Sequence, residues 1–362
     1  MSRWIDPNIK RAWTLPSEAY TSTELFGELC QKLLQESWHY AGTIEDLKAP
    51  GSCQPVRLEV GTSHQEILLT RDYGDRLHAM SNVCTHRGAL VQEGFGVERS
   101  LRCRYHGRRF GLDGCYLSMP EFDGVENFPA ESDNLPKLQL AQFGPMVFCS
   151  IKPSTTFAEW IKPMSSMIKS FEIDRMELNR TEVREYSVRA NWIAYLDNYL
   201  EGFHIPYVHP SLNEELDYGE YLVELFPTGS LQIGTASEGA VRFSKGDLSE
   251  SLGDSIGALY YHFFPLTMFN LYPWGISLNV VTPLAVDRTR VTFFPFVLNP
   301  SLREQGAGSA LDRVEREDEA VVESVQKGLS SPLYTQGRYS VLRENAVHHF
   351  HCFIDRTVHP ES

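Results

Sequence analysis

The sequence predicts an α+β protein of two domains, a small antiparallel β domain followed by a larger domain in which helices cover one side of a mostly antiparallel sheet. Residues 38–152 alternate short β-like runs with turns, as in VRLEV at 56–60 and EILLT at 66–70. Residues 220–298 form a second strand-rich stretch, and segments with helical periodicity precede and follow it. At 362 residues the chain is long enough for both domains to have their own core.

Helical spacing and turn residues predict the order of the elements. Leucines recur with a helical period in residues 21–37 behind a Ser/Thr cap, so residues 1–37 are expected to form a helical segment that packs on the second domain. The β domain is expected to follow at 38–152. The second domain, 153–362, is expected to contain three more helices, at about 191–204, 309–328 and 338–356.

The composition excludes some classes of function. With 33 basic and 47 acidic side chains the formal net charge is −14, which argues against a nucleic-acid partner because phosphate binding needs a basic surface. No secretory signal is apparent, and no run approaches the roughly 18 apolar residues of a membrane span. We therefore expect a cytoplasmic protein with no membrane partner. Its seven scattered cysteines are expected to be thiols or metal ligands instead of disulfides.

The β domain contains two short motifs that each pair one cysteine with one histidine. They are CTH at 84–86 and CRYH at 103–106, and glycines follow both, at Gly88 and Gly107, as in two tight facing loops. Zinc is the alternative for such a ligand set, but zinc fingers usually pair Cys with Cys and His with His. In a Rieske centre each loop ligates both irons through one thiolate and one imidazole, so the pattern predicts a Rieske [2Fe-2S] cluster on Cys84, His86, Cys103 and His106.

The loop text CTHRGALVQEGFG and CRYHGRRFGLDG resembles the Rieske signature. Respiratory-chain Rieske proteins carry an extra cysteine in each loop, and Ala89 and Tyr105 stand in those places, so no disulfide can link the loops. A potential in the lower part of the Rieske range is therefore expected. The second loop is basic, which either offsets the charge of the cluster or offers a docking face to an acidic electron donor. Its arginines are Arg102, Arg104, Arg108 (where Trp is common) and Arg109.

A second motif, DNYLEGFHIPYVH, occupies residues 197–209. Glu201 and His204 are three apart and share a helix face, and Pro206 turns the chain so that His209 returns towards His204. A lone histidine would more often be a packed core residue. Two histidines around a helix break, with an acidic residue one turn back, indicate a metal site instead.

A site with two histidines and one carboxylate needs a third ligand and open positions for oxygen. The helix LDRVEREDEAVVESVQKGL offers Asp318 on its apolar stripe, where a carboxylate is costly unless paired or metal-bound. Glu315, Glu317 and Glu319 are expected at the sides of the stripe, exposed to solvent. The stripe itself consists of Leu311, Val314, Val321, Val322, Val325 and Leu329.

Both motif sets, in this order and separation, resemble the alpha subunit of Rieske non-haem iron oxygenases, the aromatic-ring-hydroxylating dioxygenase superfamily, over nearly the whole chain. The resemblance implies a helix-grip (START-like) catalytic domain with a mononuclear Fe(II) on His204, His209 and Asp318. It also implies a head-to-tail homotrimer, in which Glu201 bridges the Rieske centre of one subunit to the iron of its neighbour, because the two sites of one chain lie too far apart for fast electron transfer. In having Glu at this place, the chain is similar to the choline, carnitine and glycine betaine monooxygenase branch. Ring-hydroxylating dioxygenases usually have Asp there.

The expected reaction follows from these sites. No GxGxxG fingerprint follows a strand, so electrons are expected from a separate NAD(P)H-dependent flavin/iron–sulfur reductase, with O2 as oxidant of a small-molecule substrate. The leading hypothesis is hydroxylation that N-demethylates or cleaves a quaternary ammonium compound, and its enzymatic rival is aromatic-ring hydroxylation. Two rivals from other classes are an electron-transfer protein with an inert second domain and a zinc-stapled binding module.

Two further groups of residues are expected to serve mainly packing. The aromatic stretch supplies rings to the inner face of a sheet, although a few of them facing iron would cage a quaternary ammonium or line a slot for a flat ring. These rings are Tyr261, Phe263, Phe264, Phe269, Tyr272 and Trp274. The contiguous spacing of the C-terminal cluster favours a packing or surface role for His348, His349, His351 and Cys352.

Overall fold

Antiparallel strands dominate both units of the computed structural model, which describes residues 3–309 and 311–360. The smaller unit comprises Leu34–Glu59 and Ser63–Ser154. The larger unit comprises the described residues up to Leu33, Val60–Thr62 and those from Thr155 onward. The outer bounds of the predicted domains, residues 1 and 362, lie outside the described residues.

The smaller unit contains three sheets, with strand orders β4-β3-β2-β5, β1-β10-β9 and β6-β7-β8. The strands are β1 His39–Thr43, β2 Ser52–Val60, β3 Ser63–Arg71, β4 Leu77–Ser81, β5 Gly96–Val97, β6 Leu101–Arg102, β7 Arg109–Phe110, β8 Tyr116–Ser118, β9 Gln139–Phe143 and β10 Met146–Ser150. Leu68, Met80 and Phe110 are buried in a core cluster that also contains Cys84 and Cys103. The core of this unit therefore includes the cysteines of both motifs.

The larger unit is built on one antiparallel sheet of order β11-β18-β17-β16-β15-β14-β13, with β12 paired to β18. Its strands are β11 Glu177–Leu178, β12 Arg184–Val188, β13 Leu222–Phe226, β14 Gly229–Thr235, β15 Ile256–Phe263, β16 Thr267–Tyr272, β17 Gly275–Ala285 and β18 Arg288–Val297. The α-helices of the described residues are α1 Glu18–Thr21, α2 Thr23–Glu36, α3 Phe157–Ser165, α4 Trp192–Tyr199, α5 Ile205–Val208, α6 Pro210–Glu215, α7 Leu311–Leu329 and α8 Asn345–Val358.

Helices cover both faces of this sheet. Strands β15 and β16 are buried along their whole length, which is why they read as a continuous apolar run and do not alternate. Trp160 of α3 packs on Phe263 at 4.8 Å between ring centroids, and Phe350 of α8 packs on His262 at 5.3 Å. Because neighbouring residues of a strand point to opposite faces, α3 and α8 lie on opposite sides of β15. The predicted α+β fold with an antiparallel sheet is confirmed, but helices lie on both sides of the sheet and not on one side as expected.

Helix α4 is shorter than the sequence predicts. Its cap Asn191 accepts the N–H of Ile193 at 2.9 Å, and the helix ends at Tyr199 instead of continuing to residue 204. Glu201 and His204 therefore lie in the turn between α4 and α5 and not on the helix itself. The predicted helix at 338–356 is also displaced, since α8 begins at Asn345. Within the described residues no helix combines the length and apolarity that a membrane crossing requires.

Candidate active site

Two loops of the smaller unit repeat one backbone arrangement around their cysteines. The N–H of Gly88 donates to the carbonyl of Cys84 at 3.0 Å, and the N–H of Gly107 donates to the carbonyl of Cys103 at 3.0 Å. Gly88 and Gly107 have φ angles of +76° and +79°, which favour glycine because a Cβ would be strained there. The two loops therefore present their ligand positions in equivalent ways.

The same loops bring the histidines together and the cysteines together. The ring centroids of His86 and His106 lie 4.8 Å apart. Burial raises the pKa of the Cys84 thiol, and the neighbouring Cys103 thiol acts in the same direction. Burial and the nearby His106 lower the pKa of His86, which favours the neutral imidazole that metals bind. His106 Nδ1 is buried without a hydrogen-bond partner among the described residues, so the site fits a cluster held by two thiolates and two imidazoles.

Arg108 does not belong to a surface patch. The sequence groups it with three other arginines, but its side chain is 3% exposed, whereas Arg102, Arg104 and Arg109 are exposed. Arg108 Nη1 donates to Asp133 Oδ1 at 3.1 Å and to the hydroxyl of Thr85 at 3.0 Å. The guanidinium also lies 5.3–5.6 Å from the centroids of the rings of Tyr116, Phe122 and Phe128. This side chain is buried because a carboxylate and three aromatic faces replace its water shell.

In the larger unit His204, His209 and Asp318 converge on one point. Their donor atoms lie within 4.8 Å of one another. Asp318 Oδ1 is 3.0 Å from His209 Nε2 and 3.5 Å from His204 Nε2. Two imidazoles and one carboxylate that face a common centre form the ligand set of a non-haem iron site, with other coordination positions left open.

Further carboxylates and an amide hold these three side chains in place. His204 Nδ1 lies 2.7 Å from Glu201 Oε1, and His209 Nδ1 lies 2.7 Å from Glu317 Oε2. Asn198 donates to Asp318 Oδ1 at 2.6 Å. A carboxylate on the outer nitrogen of a metal-ligating histidine fixes the tautomer and directs the other nitrogen to the metal. The hydrogen bond to His209 also lowers the pKa of Glu317, so this carboxylate stays charged.

The acidic residues of α7 differ from the sequence prediction. Glu317 contacts His209 and is not simply a solvated side chain, and Glu315 is buried, with 4% of its surface exposed. Val325, placed on the apolar stripe by the sequence, is 46% exposed. The buried face of α7 instead contains Glu315, Val322, Gln326 and Leu329, because it lies against polar groups of α4 and its cap. Glu315 bonds to the hydroxyl of Tyr195, and Gln326 to the N–H of Asn191.

Glu315, Glu317 and Asn198 are the site residues that sequence reasoning missed. Glu315 lies four residues after Leu311 and seven before Val322, so the helical period alone places it on the buried face. Asn198 is a poor helix former inside α4, which is a weak signal of a specific contact. The contact of Glu317 with His209 has no signal in the local sequence.

A cavity lies beside the triad and is lined by residues of α4, α7 and the sheet. Its aromatic lining comes from Tyr199, Tyr260, Tyr272 and Phe293, among others. Cross-strand register explains this lining, because Tyr260 pairs with Asn270 and Phe293 with Asn279, and all four face the cavity. Of the rings named from the sequence only Tyr272 lines it. The others are buried in packing: Tyr261, Phe263, Phe264, Phe269 and Trp274.

The C-terminal histidines serve packing. His351 is hydrogen-bonded to Asp197 at 2.7 Å and to the hydroxyl of Tyr339 at 2.6 Å. His348 and His349 each contact a backbone carbonyl at 2.9 Å. At least one ring nitrogen of each of these histidines is therefore engaged within the fold.

Comparison with known families identifies the class of protein. Residues 175–359 match the family of the ring hydroxylating alpha subunit (catalytic domain), and residues 37–129 match the Rieske [2Fe-2S] domain. The chain belongs to the Rieske non-haem iron oxygenases: its Rieske domain binds a 2Fe–2S cluster and its catalytic domain binds mononuclear iron. This confirms the predicted enzyme class and cofactors. It contradicts the zinc-stapled module and the inert second domain.

Among characterised relatives, the chain is similar to enzymes named for quaternary ammonium substrates. It is 30% identical to the chloroplastic choline monooxygenase of Arabidopsis thaliana, over 96% of this chain and 84% of that protein. It is 28% identical to the carnitine monooxygenase oxygenase subunit of Escherichia coli K12, over 95% and 93%. Its fold is that of a quaternary ammonium Rieske monooxygenase that oxidises carnitine (TM-score 0.78, 23% identity, 98% and 100% coverage). Naphthalene 1,2-dioxygenase from Rhodococcus sp. shares it too (TM-score 0.73, 16% identity, 96% and 95% coverage).

The burial of Arg108 leads to a first prediction. Arg108→Ala leaves Asp133 without its buried partner, and breaking a buried pair costs about 3 kcal/mol, equivalent to a fall on the order of 10 °C in the unfolding midpoint. The measurement is the temperature at which the cluster's visible absorption is lost. Arg104→Ala, which alters an exposed arginine of the same loop, is the control and should leave the midpoint unchanged. Equal midpoints for the two variants would refute the structural role of Arg108.

Proposed function

We propose that this chain is the oxygenase component of an enzyme that hydroxylates a carbon next to the nitrogen of a quaternary ammonium compound. The observation that carries the proposal is the aromatic lining of the cavity beside His204, His209 and Asp318. Rings of Tyr199, Tyr260 and neighbouring side chains offer electron-rich faces, which attract a cation without requiring hydrogen-bond donors on it. The names of the choline and carnitine monooxygenase relatives point to the same substrate class.

The rival function, aromatic-ring hydroxylation, has one observation in its favour. The fold is shared with naphthalene 1,2-dioxygenase, and the aromatic lining of the cavity also suits a flat ring. At 16% identity, however, this likeness concerns the fold alone. The presence of Glu201 at the bridging position, together with the named relatives, favours the quaternary ammonium substrate.

The ligand roles are part of the proposal. His204, His209 and Asp318 are proposed to hold Fe(II), which would supply open coordination positions for O2 and pass on the electrons that reduce O2, so that a C–H bond can be oxidised. Cys84, His86, Cys103 and His106 are proposed to hold the cluster. Glu317 holds the outer nitrogen, Nδ1, of His209, and Asn198 orients the Asp318 carboxylate. The rings of the cavity position the substrate and exclude water.

Electron delivery is proposed to run between subunits of a homotrimer. Glu201 holds His204 through its side chain and accepts the backbone N–H of the same residue at 3.0 Å, so it is directly coupled to the iron site. The similar quaternary ammonium monooxygenase is described with inter-subunit electron transfer. The donor is proposed to be an NAD(P)H-dependent flavin/iron–sulfur reductase. None of the seven cysteines, all of which lie within the described residues, forms a disulfide, and this supports a reducing, cytoplasmic location.

A substrate screen tests the reaction. With a surrogate reductase, hydroxylation of an N-methyl group follows R3N⁺–CH3 + O2 + 2e⁻ + 2H⁺ → R3N⁺–CH2OH + H2O, and the product collapses to R3N, formaldehyde and H⁺. Choline, carnitine and glycine betaine are expected to give O2 uptake with release of formaldehyde, an amine or an aldehyde. Benzoate and naphthalene serve as controls. Uptake coupled to a cis-diol or phenol, and none with the ammonium compounds, would establish the rival function.

Replacement of Asp318 tests the iron ligands. Asp318→Ala should lower the iron content from about three to about two per chain and abolish turnover, because the remaining two imidazoles bind Fe(II) weakly. The visible and EPR spectra of the cluster should not change. Asp312→Ala, on the exposed side of the same helix with 65% of its side chain accessible, is the matched control. Full iron occupancy in Asp318→Ala would show that another residue is the third ligand.

Mixed oligomers test the path between subunits. A chain with Cys103→Ser lacks the cluster, a chain with Asp318→Ala lacks the mononuclear iron, and each alone should be inactive. When the two chains are coexpressed and assemble into one trimer, a cluster of the second chain can deliver electrons to the iron of the first. Activity should therefore reappear at a fraction of the wild-type value. Trimers that form but remain inactive would indicate transfer within one chain.

A further inference from the structure

Glu315 lies one helical turn before Asp318 on α7 and lines the same cavity as the metal triad. Its side chain is buried, with 4% of the residue exposed. One carboxylate oxygen, Oε2, accepts the hydroxyl of Tyr195 at 2.9 Å. The other, Oε1, is buried and has no hydrogen-bond partner among the described residues.

A buried carboxylate with a free oxygen is unusual, because burial of a charge is costly unless it is paired. No ion pair to Glu315 is formed within the described part of the chain, and the acidic Asp318 and Glu319 lie near it. Burial raises the pKa of Glu315 well above its ordinary value, and Asp318 acts in the same direction. The charged form of Glu315 therefore lacks an ion-pair partner within the described residues, and a positive charge bound beside it would favour the carboxylate over the neutral acid.

The surroundings of Glu315 restrict what can supply that charge. The cavity wall next to it contains the aromatic rings of Tyr195, Tyr199 and Phe293, along with Leu311 and Val314. A strongly hydrated metal ion or a guanidinium requires several oxygen partners, and Glu315 offers one free oxygen. A bulky cation whose charge is spread over methyl groups needs only a carboxylate at short range and ring faces around it.

We propose that Glu315 is the residue that selects for positive charge on the substrate, by pairing its carboxylate with the ammonium group while the aromatic walls enclose the methyl groups. This inference rests on the proposed function and deepens it. Glu315 acts on binding and on the orientation of the substrate towards the triad. Glu317 and Asp318, on the same helix, act on the metal site instead.

The test compares a cation with its uncharged isostere. The probes are choline and 3,3-dimethylbutan-1-ol, which differ in the replacement of N⁺ by carbon. Dissociation constants are measured by calorimetry on the iron-loaded enzyme under anaerobic conditions, so that no turnover occurs. The variants are Glu315→Gln, which keeps the shape and removes the charge, and the matched control Glu319→Gln, a partly exposed residue of the same helix that does not line the cavity.

The wild-type enzyme and Glu319→Gln should bind choline at least about tenfold more tightly than the isostere. In Glu315→Gln the affinity for choline should fall by a factor on the order of 10–100, while the affinity for the isostere stays the same. Iron content and the cluster spectrum should not change. If Glu315→Gln does not fold, Glu315→Asp takes its place, with an intermediate loss confined to choline.

Two results for Glu315→Gln would overturn the role of Glu315: an equal loss of affinity for both probes, or a loss of iron. A wild-type enzyme that does not prefer the cation, or that binds neither probe, would also overturn it. The turnover assay separates this proposal from the proposed function. Oxidation of a quaternary ammonium compound with an unchanged KM in Glu315→Gln would overturn the role of Glu315 and leave the reaction standing. Glu315-dependent choline binding without oxidation of any quaternary ammonium compound would overturn the proposed reaction and leave the role of Glu315 standing.

Discussion

The contact between Asp318 and the two histidines is the interaction on which the catalytic domain depends. His204 and His209 flank the short helix α5, whereas Asp318 lies on α7 after the whole central sheet, so the three meet only if sheet and helices are packed in one way. Helix α7 also places Glu317 on the outer nitrogen of His209, which is therefore held from both sides. A rotation of α7 by one residue would remove both contacts.

The acidic side chains around this centre differ in their partners, and this difference separates their roles. Glu201, Glu317 and Asp318 all contact histidine nitrogens, so their charges belong to the metal site. Within the described residues, one oxygen of Glu315 accepts the hydroxyl of Tyr195 and the other has no hydrogen-bond partner. A substrate that carries a positive charge beside the oxidised carbon would satisfy this oxygen and present the carbon to the iron. Glu315 and the three residues of the metal triad thus line one cavity.

The electron-accepting unit is organised by backbone geometry and by one buried arginine. The glycine turns after Cys84 and Cys103 repeat one conformation, which gives both loops equivalent ligand positions. Arg108 connects the loops through Thr85 and Asp133, and its charge is enclosed by aromatic rings. Three exposed arginines remain on the second loop. These arginines form a basic surface on a chain whose net charge is −14.

The sequence by itself determined the enzyme class, the fold class and the candidate ligands, because cysteine–histidine spacing and helical periodicity are local properties. Asp318 could be chosen among its acidic neighbours for the same reason. Only the tertiary structure decided the burial of Arg108, the hydrogen-bond partner of Glu315, and the contact of Glu317 with His209. Each of these depends on which group a distant segment places opposite the side chain, and a local pattern does not specify that group. The rings of the cavity, supplied by α4 and the paired strands β15–β18, were decided in the same way, by cross-strand register and packing.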